Sequence, residues 1–212
     1  MNPKGHTPVD LVTAERATTR RSMISTVGAA GIAAAVGALA IARPAAAAPF
    51  APTDSDRTRL TAMMELELAA QQLYEASIGA GLDGDAGELA LVLAQNHQAY
   101  AQAIAGSAGL SATSRSSLAF DRFESAFATS DAVAWATAAN ELEQTFVVTH
   151  TEAIAGFEGI ESVNLVASIL VVEARQSIVL ADVAGLAVDA AVLNATEATP
   201  IELPTQQEAA SE

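Results

Sequence analysis

The stretch Glu143-Gln-Thr-Phe-Val-Val-Thr-His150 places a glutamate seven residues before a histidine, inside a long segment with helical periodicity. Seven residues make two helical turns, so both side chains lie on one face of a helix. That face is otherwise apolar and includes Ala136, Ala139, Phe146 and Ile154. The stretch therefore predicts a helix that carries a carboxylate and an imidazole on its buried side.

An earlier segment repeats this arrangement. Glu67-Leu-Ala-Ala-Gln-Gln-Leu-Tyr74 again places a glutamate seven residues before a ring that can form hydrogen bonds. The segment after each stretch carries two residues at positions i and i+3, in Ala94-Gln-Asn-His97 and in Glu173-Ala-Arg-Gln176. This internal repeat predicts two related pairs of helices.

Four helices of matched length are predicted around these stretches, over about 56–78, 86–105, 131–155 and 163–184. The links within the first and the last pair are short, whereas about 25 residues separate helices two and three, which indicates a crossover. Four apolar side chains in that crossover predict a short amphipathic helix laid over the bundle: Leu118, Phe120, Phe123 and Phe127. The predicted fold class is all-α, an antiparallel four-helix bundle with a short extra helix between helices two and three.

The ends of the four helices are predicted from capping residues. A side chain with a hydrogen-bonding oxygen precedes each helix: Asp54 or Ser55, Asp85, Ser130 and Ser162. Glycines follow the helices, including Gly79, Gly106, Gly156 and Gly185, and glycine is the common residue where a helix ends.

Composition excludes several classes of function. The 212 residues include no cysteine, which removes disulfides, iron–sulfur clusters, cysteine zinc sites and thiol catalysis. Hydrophobic residues make up 51% and aromatic residues only 4%, which is typical of closely packed, alanine-rich helices. Twenty-five acidic residues against ten basic ones give a net charge of −15, so we expect neither nucleic acid nor an anionic membrane surface as a partner.

The first 47 residues have the pattern of an export signal. Arg20 and Arg21 precede an apolar Gly/Ala/Val stretch over 23–42, and Arg43 and a run of alanines ending at Ala48 follow it. This pattern resembles a twin-arginine signal with a cleavage site near Ala48, which implies a periplasmic, cell-envelope or secreted protein with no membrane attachment after cleavage. The alternative is a retained membrane anchor, because the apolar stretch is about long enough to span a bilayer. The predicted domains are thus the signal over 1–47, the bundle over 48–185, and a capping segment with a disordered acidic tail over 186–212.

Each predicted helix carries a polar side chain that can bind metal near the middle of its apolar face. These side chains are Glu67, His97, Glu143 and Glu173. Buried carboxylates without partners are costly, so three of them in one core require a cation, a shared proton or hydrogen bonds. The alternative is that these glutamates lie at the rim of the bundle, one position away from the buried face.

These residues resemble the metal site of the ferritin-like superfamily, in particular the small exported ferritin-like domains of bacteria, over roughly Asp54 to Gly185. The family site takes a glutamate from each of two helices and a Glu-x-x-His from each of the other two. The resemblance implies that Glu67 and Glu143 are the lone glutamates, that His97 is the histidine of helix two and that Glu173 is the glutamate of helix four. It implies one or two iron or manganese ions as the cofactor.

Two positions depart from the family pattern. Ala94 occupies the place of a bridging glutamate, and Gln176 occupies the place of a histidine. Gln176 is therefore expected to be a weak ligand at most. Tyr74 and His150 are expected to contact ligands rather than to bind metal, because two helical turns separate His150 from Glu143 by about 10 Å along the axis.

Two functions remain open from the sequence, and a third, a helical interaction module with no ancestral metal site, is disfavoured by the internal repeat. The first is an exported ferritin-like protein that binds iron or manganese at this partly degenerate site. The alternative is a metal-free structural or stress-related bundle of the cell envelope that has lost the ancestral di-metal chemistry. Neither an enzymatic activity nor an envelope partner follows from the sequence, which is also compatible with a homodimer.

Overall fold

The computed structural model describes residues 51–203, and within this range the regular structure is entirely helical. The predicted export signal over 1–47, the first three residues of the predicted bundle domain and the end of the predicted acidic tail from residue 204 lie outside the described residues. The helices are α1 (Asp54–Gly79), α2 (Gly84–Ala108), α3 (Ser117–Phe127), α4 (Ala132–Ile154), α5 (Ile160–Ala184) and α6 (Ala190–Asn194).

The four long helices form two hairpins that pack into a bundle. α1 packs along α2, and α4 packs along α5, because only short turns join the members of each pair. Smaller contacts between α1 and α4 and between α2 and α5 close the bundle. The predicted all-α four-helix bundle is therefore confirmed.

The crossover contains the predicted extra helix, α3, which lies against α1 and α4. Its first turn is capped by Ser116, whose hydroxyl accepts the backbone N–H of Ala119. Phe123 and Phe127 are buried one helical turn apart, but Leu118 is 67% exposed. The prediction that Leu118 faces the bundle is wrong, since the buried side chains of α3 are Ala119, Phe123 and Phe127 and Leu118 is on its exposed side.

The predicted caps are mostly displaced by one to three positions from the observed ones. Thr53 caps α1 and accepts Asp56 N–H, while the carboxylate of Asp131 caps α4 by accepting two backbone N–H groups. Asp83 and Gly159 precede α2 and α5 without a side-chain cap bond. α2 ends at Gly109 rather than at the predicted Gly106, because Gly109 has the left-handed backbone (φ 65°) that closes a helix.

A buried carboxylate joins the two hairpins at one end of the bundle. Asp56, in the first turn of α1, is fully buried and accepts the backbone N–H groups of Glu158 (2.8 Å) and Gly159 (2.9 Å) in the turn between α4 and α5. These bonds satisfy N–H groups that would otherwise be unpaired near the start of α5. The bonds fix that turn against α1.

The chain after α5 returns over the bundle. Ile201 donates its backbone N–H to the hydroxyl of Thr149 on α4, and Arg122 on α3 donates to the carbonyl of Thr199. Ile201 is buried, and Leu203 packs against both apolar clusters of the core. The segment therefore covers α3 and α4 up to the last described residue.

Two apolar clusters form the core, and a polar layer separates them. One surrounds Trp135, Leu73 and Phe127, and the other surrounds Leu60, Ile104 and Val166. Along each long helix the chain passes from one cluster to the other, and Glu67, His97, His150 and Glu173 occur near the transition, whereas Glu143 lies within the first cluster. The polar side chains thus form a layer about two helical turns deep, because Glu143 and His150 are seven residues apart on α4.

α5 is the one helix in the described part of the chain with the length and hydropathy of a membrane span, at a mean hydropathy of 1.6. It packs along α4, and it buries Glu173 and Gln176 inside the bundle.

Candidate metal centre

The polar layer combines side chains from all four long helices. Glu67 comes from α1, His97 from α2, Glu143 and His150 from α4, and Glu173 from α5, and each is fully buried. The alternative that these glutamates lie at the rim of the bundle is therefore wrong. The apolar periodicity of each helix turns these positions inward, and the antiparallel arrangement brings them together in one layer about two helical turns deep.

His97 lies between two carboxylates. Its Nδ1 is 2.7 Å from Glu67 Oε2, and its Nε2 is 3.0 Å from Glu143 Oε1. Burial lowers the pKa of His97, but the charges and hydrogen bonds of Glu143 and Glu67 outweigh it, so this pKa lies well above the usual range. Both ring nitrogens face carboxylate oxygens, and the raised pKa favours the imidazolium form, in which His97 donates to both carboxylates and holds them together.

Tyr74 supports this arrangement from α1. Its hydroxyl donates a 2.5 Å hydrogen bond to Glu143 Oε1, and its ring stacks on that of His97 with centroids 5.5 Å apart. Burial, reinforced by the negative charge of Glu143, raises the pKa of Tyr74 well above its usual range. Tyr74 therefore remains a neutral donor that orients Glu143.

His150 forms a second imidazole–carboxylate pair, with α5. Its Nδ1 is 2.6 Å from Glu173 Oε2, and its Nε2 is 3.4 Å from Glu67 Oε1. Burial lowers the pKa of His150, but Glu173 outweighs it and raises this pKa above the ordinary value. Burial raises the pKa of Glu173 to about 7, although the charge of His150 opposes the increase.

His150 lies two helical turns from Glu143 on α4, a separation that by itself keeps the two side chains apart. In the fold, Glu67 and Glu173 lie at the level of His150, so the ring joins the same layer two turns from Glu143 on the same helix. Glu67 therefore faces both histidines, one through each carboxylate oxygen.

Tyr100 belongs to the layer and was missed from the sequence. It lies one turn after His97 on α2, is 3% exposed, and meets the His97 ring edge-on with centroids 5.6 Å apart. Burial and the charges of the three glutamates raise its pKa, so its hydroxyl stays protonated. The i, i+3 spacing from His97 was the signal that could have identified it.

The two positions that depart from the family pattern have different surroundings. Ala94 is buried in the apolar cluster that contains Trp135. Gln176 is buried, and neither atom of its amide group has a hydrogen-bond partner. The amide of Gln176 lies beside the hydroxyl of Tyr100 without forming a well-aligned hydrogen bond, whereas Ala94 contributes no ligand atom.

The free atoms of this layer fit a metal ion. Among the buried atoms without a hydrogen-bond partner are Glu67 Oε1, Glu143 Oε2, Glu173 Oε1 and His150 Nε2. Ligand atoms of Glu67, His97 and Glu173 lie within 4.8 Å of one another. Opposite ligands of one ion with bonds of about 2.1 Å lie about 4.2 Å apart, so small side-chain shifts would suffice. Carboxylate oxygens with imidazole nitrogens suit iron, manganese or zinc.

The fold and the site place this protein among the four-helix bundles that carry glutamates and histidines in their core. The profile of the ferritin-like domain family matches residues 55–186, which is more than half of the chain, so the chain belongs to that family. Neither the comparison with curated proteins nor that with solved structures finds a match.

Proposed function

We propose that this ferritin-like protein is exported and binds iron or manganese in its bundle core, through Glu67, Glu143 and Glu173 together with an imidazole, for which the sequence predicts His97. The observation that carries the proposal is that each of the three fully buried carboxylates has one oxygen without a hydrogen-bond partner. Buried charged oxygens of this kind are costly unless a cation compensates them. A metal ion is such a cation.

The residues of the layer prepare the site for a metal ion. Tyr74 donates to Glu143 and thereby fixes the direction of its second oxygen, while His97 holds Glu67 and Glu143 in one arrangement. A bound iron or manganese ion would supply Lewis-acid or redox chemistry. Ligands must be deprotonated to bind, so an ion would displace the proton from the imidazole nitrogen that binds it.

One observation favours a second candidate, a metal-free structural bundle of the cell envelope. His97 and His150 together give every buried carboxylate of the layer a basic neighbour. Two imidazolium groups could therefore compensate most of the charge of the three carboxylates without any metal. The two candidates make opposite predictions about metal binding.

Thermal unfolding with and without metal distinguishes them. Fe(II) or Mn(II) at about 100-fold above its dissociation constant should stabilise the protein by about 2.7 kcal/mol, because the folded state alone binds it. Glu143→Ala should abolish this stabilisation. Glu141→Ala is the matched control, since Glu141 lies two residues away on α4 with its side chain 62% exposed, and it should retain the effect.

Two results would contradict the proposal. A wild-type protein whose unfolding is unaffected by iron, manganese and zinc supports the metal-free bundle. Stabilisation that survives Glu143→Ala would mean that Glu143 is not part of the metal site.

Export by the twin-arginine route is the second part of the proposal. It rests on Arg20 and Arg21 ahead of a weakly hydrophobic stretch, and on the alanine run before the predicted cleavage site. Twin-arginine export carries folded proteins, so a metal could be inserted before translocation.

A further inference from the structure

We propose that His150 is a metal ligand of this site and takes the role of the histidine that Gln176 replaces, while His97 positions the carboxylates and does not bind the ion. This inference rests on the proposed metal-binding function and specifies which imidazole performs it. It depends on the hydrogen bonds of the two histidines, which differ.

The Nδ1 atom of His150 has a partner that orients the ring. It lies 2.6 Å from Glu173 Oε2, so with a metal ion on the opposite ring nitrogen Nδ1 keeps the ring proton and donates it to this oxygen. The other nitrogen, Nε2, is buried and has no hydrogen-bond partner. Histidines that bind metal typically donate the N–H of one nitrogen to a carboxylate and bind through the other. His150 and Glu173 have this arrangement.

The free nitrogen of His150 faces a free carboxylate oxygen. Nε2 is 3.4 Å from Glu67 Oε1, and both atoms lack a hydrogen-bond partner. Two acceptor atoms that face each other in a buried site need a positive charge between them. In the metal-free protein this is a proton, and in the metal-bound protein it is the metal ion. Neighbouring ligands of a tetrahedral ion with bonds of about 2.1 Å are about 3.4 Å apart, which matches this separation.

His97 has no free nitrogen. Its Nδ1 and Nε2 are engaged by Glu67 and Glu143 at 2.7 and 3.0 Å. Binding of metal to His97 would require one of these buried bonds to break, which would leave a carboxylate oxygen without its partner. His150 requires no such loss.

The use of His150 in place of a histidine on α5 also accounts for Gln176. In the Glu-x-x-His pattern that the chain resembles, a histidine one turn after Glu173 would stand at position 176. Here α4 supplies the imidazole beside Glu173 instead. Gln176 is then left with an amide that has no partner and can contribute a neutral oxygen at most.

Nitrogen NMR of the full chain with ¹⁵N-labelled histidine tests this assignment. The chain has three histidines, of which His6 lies outside the described residues, so at most three rings contribute signals. Zn(II) serves as the probe because it is diamagnetic. We expect the Nε2 signal of His150 to move to the metal-bound position while Nδ1 keeps its proton, and both nitrogens of His97 to stay protonated. The His97 ring is identified by its contact with the Tyr74 ring.

Variants provide the second measurement. His150→Gln should weaken Zn(II) binding by at least about 100-fold in calorimetric titration and remove the metal-bound nitrogen signal. His97→Gln, the matched control, should keep that signal and weaken binding by about 10- to 100-fold, as expected for a residue that orients ligands.

A metal-bound nitrogen on His97 with both protons retained on His150 would overturn the assignment and leave the proposed function intact. A wild-type chain in which Zn(II), Mn(II) and Fe(II) all fail to bind at the core would overturn the proposed function as well. The wild-type spectra decide the assignment even if a variant does not fold.

Discussion

Glu173→Gln should reduce the fall in stability of the metal-free protein between about pH 5.5 and about pH 7 by about 2 kcal/mol, and the part that the histidines contribute should remain. The folded protein keeps a proton on Glu173 up to about pH 7, whereas an ordinary glutamate loses it near 4.5. Since the folded state binds more protons between these two values, the free energy of unfolding falls as the pH rises through this range. Glutamine has no proton to lose.

The magnitude follows from the pKa of Glu173. Each tenfold change in a protonation equilibrium is worth about 1.4 kcal/mol, so the interval from about pH 5.5 to about pH 7 accounts for about 2 kcal/mol. The pKa values of His97 and His150 are also raised, so their contribution to the free energy of unfolding is fully present below about pH 6.5 and is lost as the pH rises further. The histidines therefore act in the same direction as Glu173.

Urea unfolding at about pH 5.5 and about pH 8, in the presence of a chelator, measures this difference. For a folded unit of this size, about 2 kcal/mol corresponds to a fall of roughly 4–8 °C in Tm. Glu161→Gln is the control, because Glu161 is an exposed glutamate at the start of the same helix. Two results would refute this role of Glu173. One is a wild-type stability that does not fall between the two pH values, and the other is an equal change of stability with pH in Glu173→Gln and Glu161→Gln.

Two further predictions concern the fold and the export signal. Asp56→Ala should destabilise the protein by about 3 kcal/mol or more in urea unfolding, since hydrogen bonds to a charged group contribute about 1.5–3 kcal/mol each. The control, Asp54→Ala at an exposed position, should cost less than about 1 kcal/mol. Equal losses of stability in the two variants would contradict the role of Asp56. Replacing Arg20 and Arg21 by lysines should keep the protein in the cytoplasm, as fractionation with N-terminal sequencing would show, and an intact leader on membrane-bound wild-type protein would instead support the anchor.

The predicted helices agree closely with the observed ones because apolar periodicity is a local property. The third helix was predicted over about 131–155 and is observed at Ala132–Ile154, and the short crossover helix was anticipated from Phe123 and Phe127. The caps were harder to predict, because several neighbouring side chains could serve. Thr53, Asp54 and Ser55 are consecutive, and the choice between them depends on the backbone at one residue.

The sequence by itself determined which polar side chains face inward, since the position of Glu67, Glu143 or Glu173 on its own helix sets that direction. It could not determine their partners. The contact of Glu67 with both histidines, and that of His150 with Glu173, depend on the level at which four antiparallel helices meet. Asp56 likewise bonds to backbone 102 and 103 residues away, a contact that local pattern cannot encode. Periodicity is a property of one helix, whereas these contacts depend on the relative depth and rotation of two, which only packing of the whole core decides.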